Sequence, residues 1–545
     1  MNPPPCRTSA PAPGSVSTPY HRWNPATWGV GHWLSLCIVT PAVLAALFYQ
    51  LENWRGRQAW AAFAHDATAA GLNLDLAKLA PAPVPDSQNF AKTPLLDHPL
   101  TKEADKDYWA PLRQRLQPRE LFDTTSADTP FSSWWQLRLP DPAAHAAWRE
   151  KNGPALAAHL AALAPELDEI ARAAAERPSA RYRYDFSGNP YDIICVHIGV
   201  LRAFAWPYTS RAQLMLDSPD ASPANIAAAA NDILTTLRIA RVEHDQPFLI
   251  AQLSRIAIVQ LALAPLREGI ARNLWTAHDY ASFDAALAKL DFLAGMKHGF
   301  AFECNMGINT LSGSIPYPVS GFLSMMPQPQ WASLSDLTHE NIKRNISLTL
   351  VQYGPRGWRL RAATIVGHAW LEQIMPALDP VGQRVDLRQA KAANAAIPDN
   401  DAPWNIMARF IMPTTSSLAR TAAFAQSGAN LARAACRVEL HKLRTGAYPS
   451  ALDELPSDLS TAALHDLVTG EPLRYRPPLP SPTSRPPDKN SYVLYVTGTD
   501  GVDDGGNLHE QESKPPSWNK LKDWIWTIAP ASAVATASAS GATFE

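Results

Sequence analysis

The sequence predicts a mainly α-helical protein with an N-terminal transmembrane helix, a helical body and a small C-terminal α+β module with short antiparallel strands. Three observations carry this reading. From Trp23 to Leu51 there is no acidic or fixed basic residue. Between residues 223 and 295, Ile and Leu recur at three- and four-residue spacing, the period of an amphipathic helix. Near the end, short apolar runs such as Tyr492-Val493-Leu494-Tyr495-Val496 are bounded by Gly, Pro and Asp, as strands are.

The first element is the apolar run. A bilayer asks for ~20 mostly apolar residues in one helix, and "GVGHWLSLCIVTPAVLAALFYQ" reaches that length. Trp23, Trp28 and Trp33 lie toward one end; Tyr49, Trp54 and Trp60 lie toward the other, as an interfacial aromatic belt requires. Pro41 is tolerable in a membrane helix. The run exceeds a cleavable signal core and no small-x-small site follows it, so residues 23–51 read as a retained signal anchor. "LSLC" before Cys37 resembles a lipoprotein site, but most of the apolar run follows it. Lys and Arg are nearly balanced across the helix, so charge does not orient it. Long domains translocate largely regardless of charge, and the expectation is a single-pass inner-membrane protein with its large C-terminal part outside the cytoplasm. The Pro/Ser/Ala-rich arm 1–22 is expected to be disordered, as is the tail 531–545.

Residues 52–140 read as a juxtamembrane helix ending near Gly71, followed by the Pro-rich connector "PAPVPDSQNFAKTPLL". Residues 141–413 read as the helical body. Its first helix is expected to start at Asp141-Pro142 and to break at Gly153-Pro154 and again at Pro178. Helix, turn at Pro247 and helix follow over 223–271, and a further helix is expected over 279–296. The 49 prolines predict many interrupted helices. The apolar stretch 313–331 reads as a buried loop or, alternatively, as a ligand lid or membrane-contacting loop. In residues 414–530 a long helix ends at Gly446, "YPSALDEL" makes a short helical turn, and "GEPLRYRP", "SYVLYVTGT" and "DWIWTIAP" supply three strands.

Composition excludes some functions. The 48 Lys+Arg and 50 Asp+Glu leave a formal charge of −2 and no basic run, so nucleic acid is not an expected partner. The five cysteines are widely spaced and form no CxxC pair, which argues against a zinc module or a disulfide framework. One bridge, Cys195–Cys304 or Cys304–Cys436, stays open beside the commoner state of buried free thiols. No GxSxG, HExxH or phosphate-loop motif occurs. His368 and Glu372 stand one helical turn apart, a spacing that suits a metal, an acid–base pair or an ordinary hydrogen bond. Glu243, His244 and Asp245 are adjacent and so are expected to face different ways. Arg356, Arg359 and Arg361 suit an anion or, more simply, nearby acids.

The C-terminal order of helix, "TGAYPSALDEL", "TGEPLRYR" and "SYVLYVTGTDGVDDGG" resembles the C-terminal part of type II secretion major pseudopilins. Those proteins carry a G-x-YP-x-x-L-x-x-L segment, a D-x-x-G-x-P-x-x-Y strand and a calcium-binding loop. Asp466 precedes "LVTGEPLRY" here in a looser form of the second motif. The match covers roughly residues 430–506, and the pseudopilin leader pattern is absent around residues 20–52. The whole chain is similar to a family of large single-anchor bacterial proteins of uncharacterised function. It shares their "WRGRQAW", "PVPDSQNFAKTPLL", "QPFLIAQLSRIAI" and "GPRGW" segments and their "GAYPSAL…DDGG" ending, with "LYVTG" where "LYSVG" is usual. That resemblance implies an anchored helical protein and brings no reaction.

The resemblance directs attention to one turn. Asp500, Asp503, Asp504 and Asn507 supply side-chain oxygens within eight residues, and Gly501, Gly505 and Gly506 let the backbone wrap tightly. The pseudopilin analogy makes these four calcium candidates; the alternative is a solvated Asp/Gly turn. With no apolar wall to raise one pKa, catalysis by the aspartates is the weakest reading. The expected function is structural or protein-interacting, with the bilayer through 23–51 and envelope proteins as partners. The competing expectation is an extracytoplasmic hydrolase with a cleft near 313–331, lined by His368 and Glu372.

Overall fold

A computed structural model describes residues 29–118 apart from 71 and 80, then 142–184, 190–217, 222–313, 323–324, 326, 339–412, 415–478, 492–506 and 523–527. Most of these residues are helical: α1 Val30–Ala69, α2 Ala110–Leu116, α3 Pro142–Ala162, α4 Ala164–Glu176, α5 Val196–Asp217, α6 Pro223–Val242, α7 Leu249–Ala271, α8 Ala277–Leu287, α9 Phe292–Ser312, α10 His339–Tyr353, α11 Arg356–Ala369, α12 Leu387–Ala395, α13 Pro403–Ile411 and α14 Thr415–Thr445. A small hairpin pairs β1 (Leu378–Asp379) with β2 (Arg384–Val385). A three-stranded antiparallel sheet has the order β3 (Arg474–Arg476), β4 (Val493–Thr497), β5 (Asp523–Thr527).

α1 is one unbroken helix of 40 residues, where the sequence suggested an anchor and a separate juxtamembrane helix. Its two parts differ in what they touch. Val30, Leu34, Ile38, Leu44 and Leu47 are exposed, whereas Glu52, Gly56, Phe63 and Ala67 are buried against the body. The buried half runs parallel to α11. Glu52 Oε2 accepts from Trp358 Nε1 at 2.9 Å and Asn53 Oδ1 accepts from Gly357 N at 2.8 Å. Gly56 faces Gly357 so closely that a Cβ on either would collide with backbone, and Phe63 fills the space under Gly367. Two glycines let these backbones approach, and no other residue type fits there.

Prolines interrupt less than expected. Pro41, Pro154, Pro207 and Pro265 all lie inside helices, so α3 runs through Gly153-Pro154 without stopping. The helix-turn-helix around Pro247 is present as α6 and α7. The helix expected over 279–296 is instead two: Thr276 and Asp279 form a capping box that starts α8, and Asp291 caps a new start at α9. α14 ends where Gly446 adopts a left-handed φ of 84°.

The sheet closes the C-terminal side of the core. Leu494 and Val496 of β4 pair with Trp526 and Trp524 of β5, and all four side chains point inward. Trp524 meets Phe424 of α14 edge-on at 5.5 Å, and the buried Arg267 guanidinium of α7 lies 4.4 Å from the Trp526 ring centre. One contiguous apolar cluster therefore extends from Phe63 in α1 to Trp526 in β5. Cys37, Cys195, Cys304 and Cys436 are free thiols, so neither candidate bridge forms.

Candidate functional site

The aspartate turn is built on the edge of the sheet, and its carboxylates are engaged locally. Asp500 Oδ1 accepts from Val502 N at 3.1 Å, and Asp503 Oδ1 accepts from Gly505 N at 2.8 Å. The other Asp503 oxygen pairs with Arg474 Nε of β3 at 2.7 Å. A further acid not singled out in the sequence, Asp523 of β5, gathers the turn from beneath: its Oδ2 accepts from Asp504 N at 3.1 Å and Gly506 N at 2.8 Å. Burial, then the nearby Asp503 and Asp504 charges, push the Asp523 carboxyl upward, while the amides pull it down. Gly501, Gly505 and Gly506 all have left-handed φ, which is what the tight path needs. Asn507 lies outside the described residues. Among the described residues, no three His, Cys, Asp or Glu side chains converge as a metal cage.

Asp466 is the hub under this turn. It is fully buried; Oδ1 accepts from Val468 N at 2.8 Å and Thr469 N at 3.2 Å, while Oδ2 accepts from Thr497 N at 2.8 Å and from the Thr497 hydroxyl. Arg474 Nη1 lies 3.8 Å from the same Oδ2. Arg474 thus bridges Asp466 and Asp503. The D-x-x-x-G spacing is explained: Asp466 folds a turn that Gly470 completes at φ 79°, and its second oxygen ties that turn to the end of β4.

The other candidates separate. His368 Nδ1 and Glu372 Oε1 are 3.0 Å apart, but the pair is exposed, with Glu372 in a single π-helical turn, Trp370–Ile374. The three arginines do not converge, and none pairs with a described acid. Arg356 donates to Ser312 O at 3.2 Å, Arg361 stacks 4.0 Å over Trp404, and Arg359 is partly buried, which lowers its pKa. Of the 313–331 stretch, only 313, 323–324 and 326 are described.

A buried polar cluster lies elsewhere, where α5, α6 and α7 meet residues 180–184. Glu243 follows the last turn of α6 and points inward; His244 is half-exposed, and Asp245 turns out to form a bidentate pair with Arg181. The three adjacent residues do face different ways. Near Glu243 stand Tyr182, Tyr184 and Arg255, which in turn hold His197, Gln246 and Gln252. Gln246 Nε2 donates to Ala180 O at 2.6 Å, which turns Gln246 Oε1 toward Tyr184. The Tyr184 hydroxyl donates to that oxygen at 2.7 Å and lies 2.9 Å from His197 Nε2. With its one proton spent on Gln246, the hydroxyl can only accept from His197, so the imidazole carries its hydrogen on Nε2. Burial lowers the His197 pKa to about 3, leaving it neutral. Arg255 Nε donates to Ala240 O at 2.9 Å and so caps α6 with a cation, and its Nη1 bonds Gln252 Oε1.

Glu243 itself has no hydrogen-bond partner for either oxygen among the described residues. Burial raises its pKa to about 8, against a smaller opposing pull from Arg255. The position at a helix C-terminus adds to the same effect, because carbonyl dipoles disfavour an anion there. Cys195, near Glu303 and Glu243, is pushed by burial to about 12 and is a poor nucleophile at neutral pH. At neutral pH the cluster therefore holds a neutral acid, a neutral imidazole and one cation. Glu243 stood out in the sequence, but its partners did not, because they lie in four segments. The local signals were the Glu243-His244-Asp245 run, Tyr182 and Tyr184 on one side of an extended run, and Gln246 before Pro247.

No family model, no curated protein and no solved structure matches this chain.

Proposed function

We propose that this chain is a membrane-anchored protein of the bacterial envelope whose large C-terminal part stands outside the cytoplasm and acts as a scaffold or interaction partner. One observation carries the reading: Val30–Leu47 is an apolar helix with none of its side chains buried in the body, continuous with a segment that is firmly docked. In water that exposed surface is costly; in a bilayer it is satisfied. The route from α14 through Gly446, Tyr448-Pro449 and the Asp466–Gly470 turn into β3–β4–β5 supports the pseudopilin-like reading of the last module. The exposure of His368 and Glu372 favours the scaffold over the hydrolase, because a catalytic pair in a cleft would be shielded from water.

The test has two arms. Carbonate washing should leave the full chain in the membrane fraction and release a 52–545 variant; release of the full chain would remove the anchor. An impermeant maleimide should label Glu471→Cys in intact cells, and protection of that cysteine would reverse the orientation. Co-purification of a defined set of envelope proteins with the full chain is the expected interaction result. A chain that purifies alone from native membranes would sink the scaffold role.

A further inference from the structure

α10 presents an apolar stripe to solvent. Ile346, Leu350 and Tyr353 follow one another at helical spacing and are 48%, 42% and 71% exposed, while Ser347, Leu348 and Val351 on the opposite side are buried. Large apolar residues in such a row call for a partner. The position of the row relative to α1 identifies it.

α1 meets α10 and α11 at Phe48 and Tyr49. The Phe48 ring meets Trp358 at 6.0 Å, and the Tyr49 hydroxyl donates to the carbonyl of Tyr353 at 2.5 Å. Below that level Val30–Leu47 gives about 27 Å of exposed apolar helix, close to the thickness of a bilayer core. The C-terminal end of α10 is therefore fixed at the height where α1 leaves the apolar layer. α11 then runs up beside α1, away from that level. α10 does not fold back along α11: Gly354-Pro355 breaks the chain, and α10 packs on α13 instead. With its C-terminal end held at that level and its packing made on α13 rather than along α11, α10 is placed to lie along the interface. Its polar side fits as well. Lys343 and Arg344 are exposed on α10, Trp54, Arg55 and Arg57 are exposed on α1 just above the same level, and Lys343 pairs with Asp401 at 2.7 Å without being buried. Aromatic and basic residues bordering an apolar stripe are what a helix lying on an anionic bilayer needs.

We propose that α10 is an interfacial helix, its Ile346–Leu350–Tyr353 stripe seated in the surface of an anionic lipid bilayer beside the anchor. The proposal rests on the anchor reading of α1 and adds a second membrane contact to it.

Depth-dependent quenching in proteoliposomes tests both separately. The full chain, with Cys6→Ser and Cys37→Ser, is labelled with nitrobenzoxadiazole at Leu44→Cys, Ile346→Cys, Leu350→Cys or Glu471→Cys. The remaining native thiols are buried or, at Cys195, poorly ionised. Vesicles are phosphatidylcholine with phosphatidylglycerol, with doxyl groups placed either near the headgroup or deep in the chain. Label at 44, one helical turn inside the apolar layer, should be quenched from within the bilayer and label at 471 by neither group. Labels at 346 and 350 should lose about half their emission to the shallow group, as a helix sunk ~5–10 Å requires. That loss should weaken in vesicles of phosphatidylcholine alone. Quenching at 44 without quenching at 346 and 350 overturns the interfacial helix and leaves the anchor standing. The stripe would then be covered by other residues of this chain or by a protein. Absence of quenching at 44 overturns the anchor itself.

Discussion

Two fully buried carboxylates hold this molecule in opposite ways. Asp466, in the C-terminal module, is surrounded by donors: three amides, a hydroxyl and, slightly farther off, Arg474. Glu243, in the helical body, is buried to the same degree and accepts nothing from the described residues. A buried anion surrounded by donors can act as a staple; a buried acid without them does best to keep its proton. The module is thus pinned by a satisfied charge, while in the body burial favours the neutral form of Glu243.

Replacing the staple should have the largest effect. Asp466→Ala leaves the Val468, Thr469 and Thr497 donors unpaired in a closed space, and the expected loss is about 3–5 kcal/mol, read as a fall in the denaturation midpoint. Proteolysis should then cut first within residues 450–506. A loss below about 1 kcal/mol would mean the donors find other partners and would erase the contrast with Glu243.

The second effect has the opposite sign. The Glu243 pKa rises from 4.5 to about 8 on folding, so between those values the folded state holds a proton that the unfolded state has lost. Stability from this residue is full below pH 4.5 and falls as pH climbs through 8. Glu243→Gln keeps the neutral shape without a titrating proton. It should be more stable than the parent at pH 8, by up to about 4 kcal/mol, and similar to it at pH 4.5. Parallel stability–pH curves for the two proteins would show that Glu243 is ionised and paired after all.

The smallest effect belongs to the turn above Asp466. Asp503 is 41% exposed in its side chain, so Asp503→Ala should cost under about 1 kcal/mol. Calcium would have to displace Arg474 from Asp503. Melting that is identical with calcium and with chelator assigns the turn to internal bracing, the outcome the ion pair predicts. A calcium-dependent rise lost in Asp503→Ala/Asp504→Ala would restore the ion as the turn's partner.

What could be read in the sequence follows from what is local. The apolar helix, the αα pair around Pro247, the stop at Gly446 and the three C-terminal strands each have their signal within a few residues. The merging of anchor and juxtamembrane helix was hidden, because nothing between Leu51 and Ala69 shows that Gly56 will nest on Gly357 three hundred positions away. Prolines 41, 154, 207 and 265 sit inside helices because context can override a local penalty. The break between α8 and α9 was legible in principle: Thr276 with Asp279, and then Asp291, are both capping signals. For the aspartate turn, residue counting found Asp500, Asp503 and Asp504 but not Asp523, which joins them only through strand pairing. The Glu243 cluster escaped for the same reason, since residues 180–184, α5, α6 and α7 come together only on folding.

The continuity of α1 has a mechanical consequence. With no hinge between Leu47 and Glu52, the body is mounted on a stiff post rather than tied by a leash. If α1 is the anchor proposed above, the height of the body over the lipid and its tilt are set by that one helix. Any partner would have to meet it at that fixed altitude, so encounters become a two-dimensional search among similarly mounted proteins. Inserting a few flexible residues at Leu51 would turn the post into a leash without altering a single surface contact.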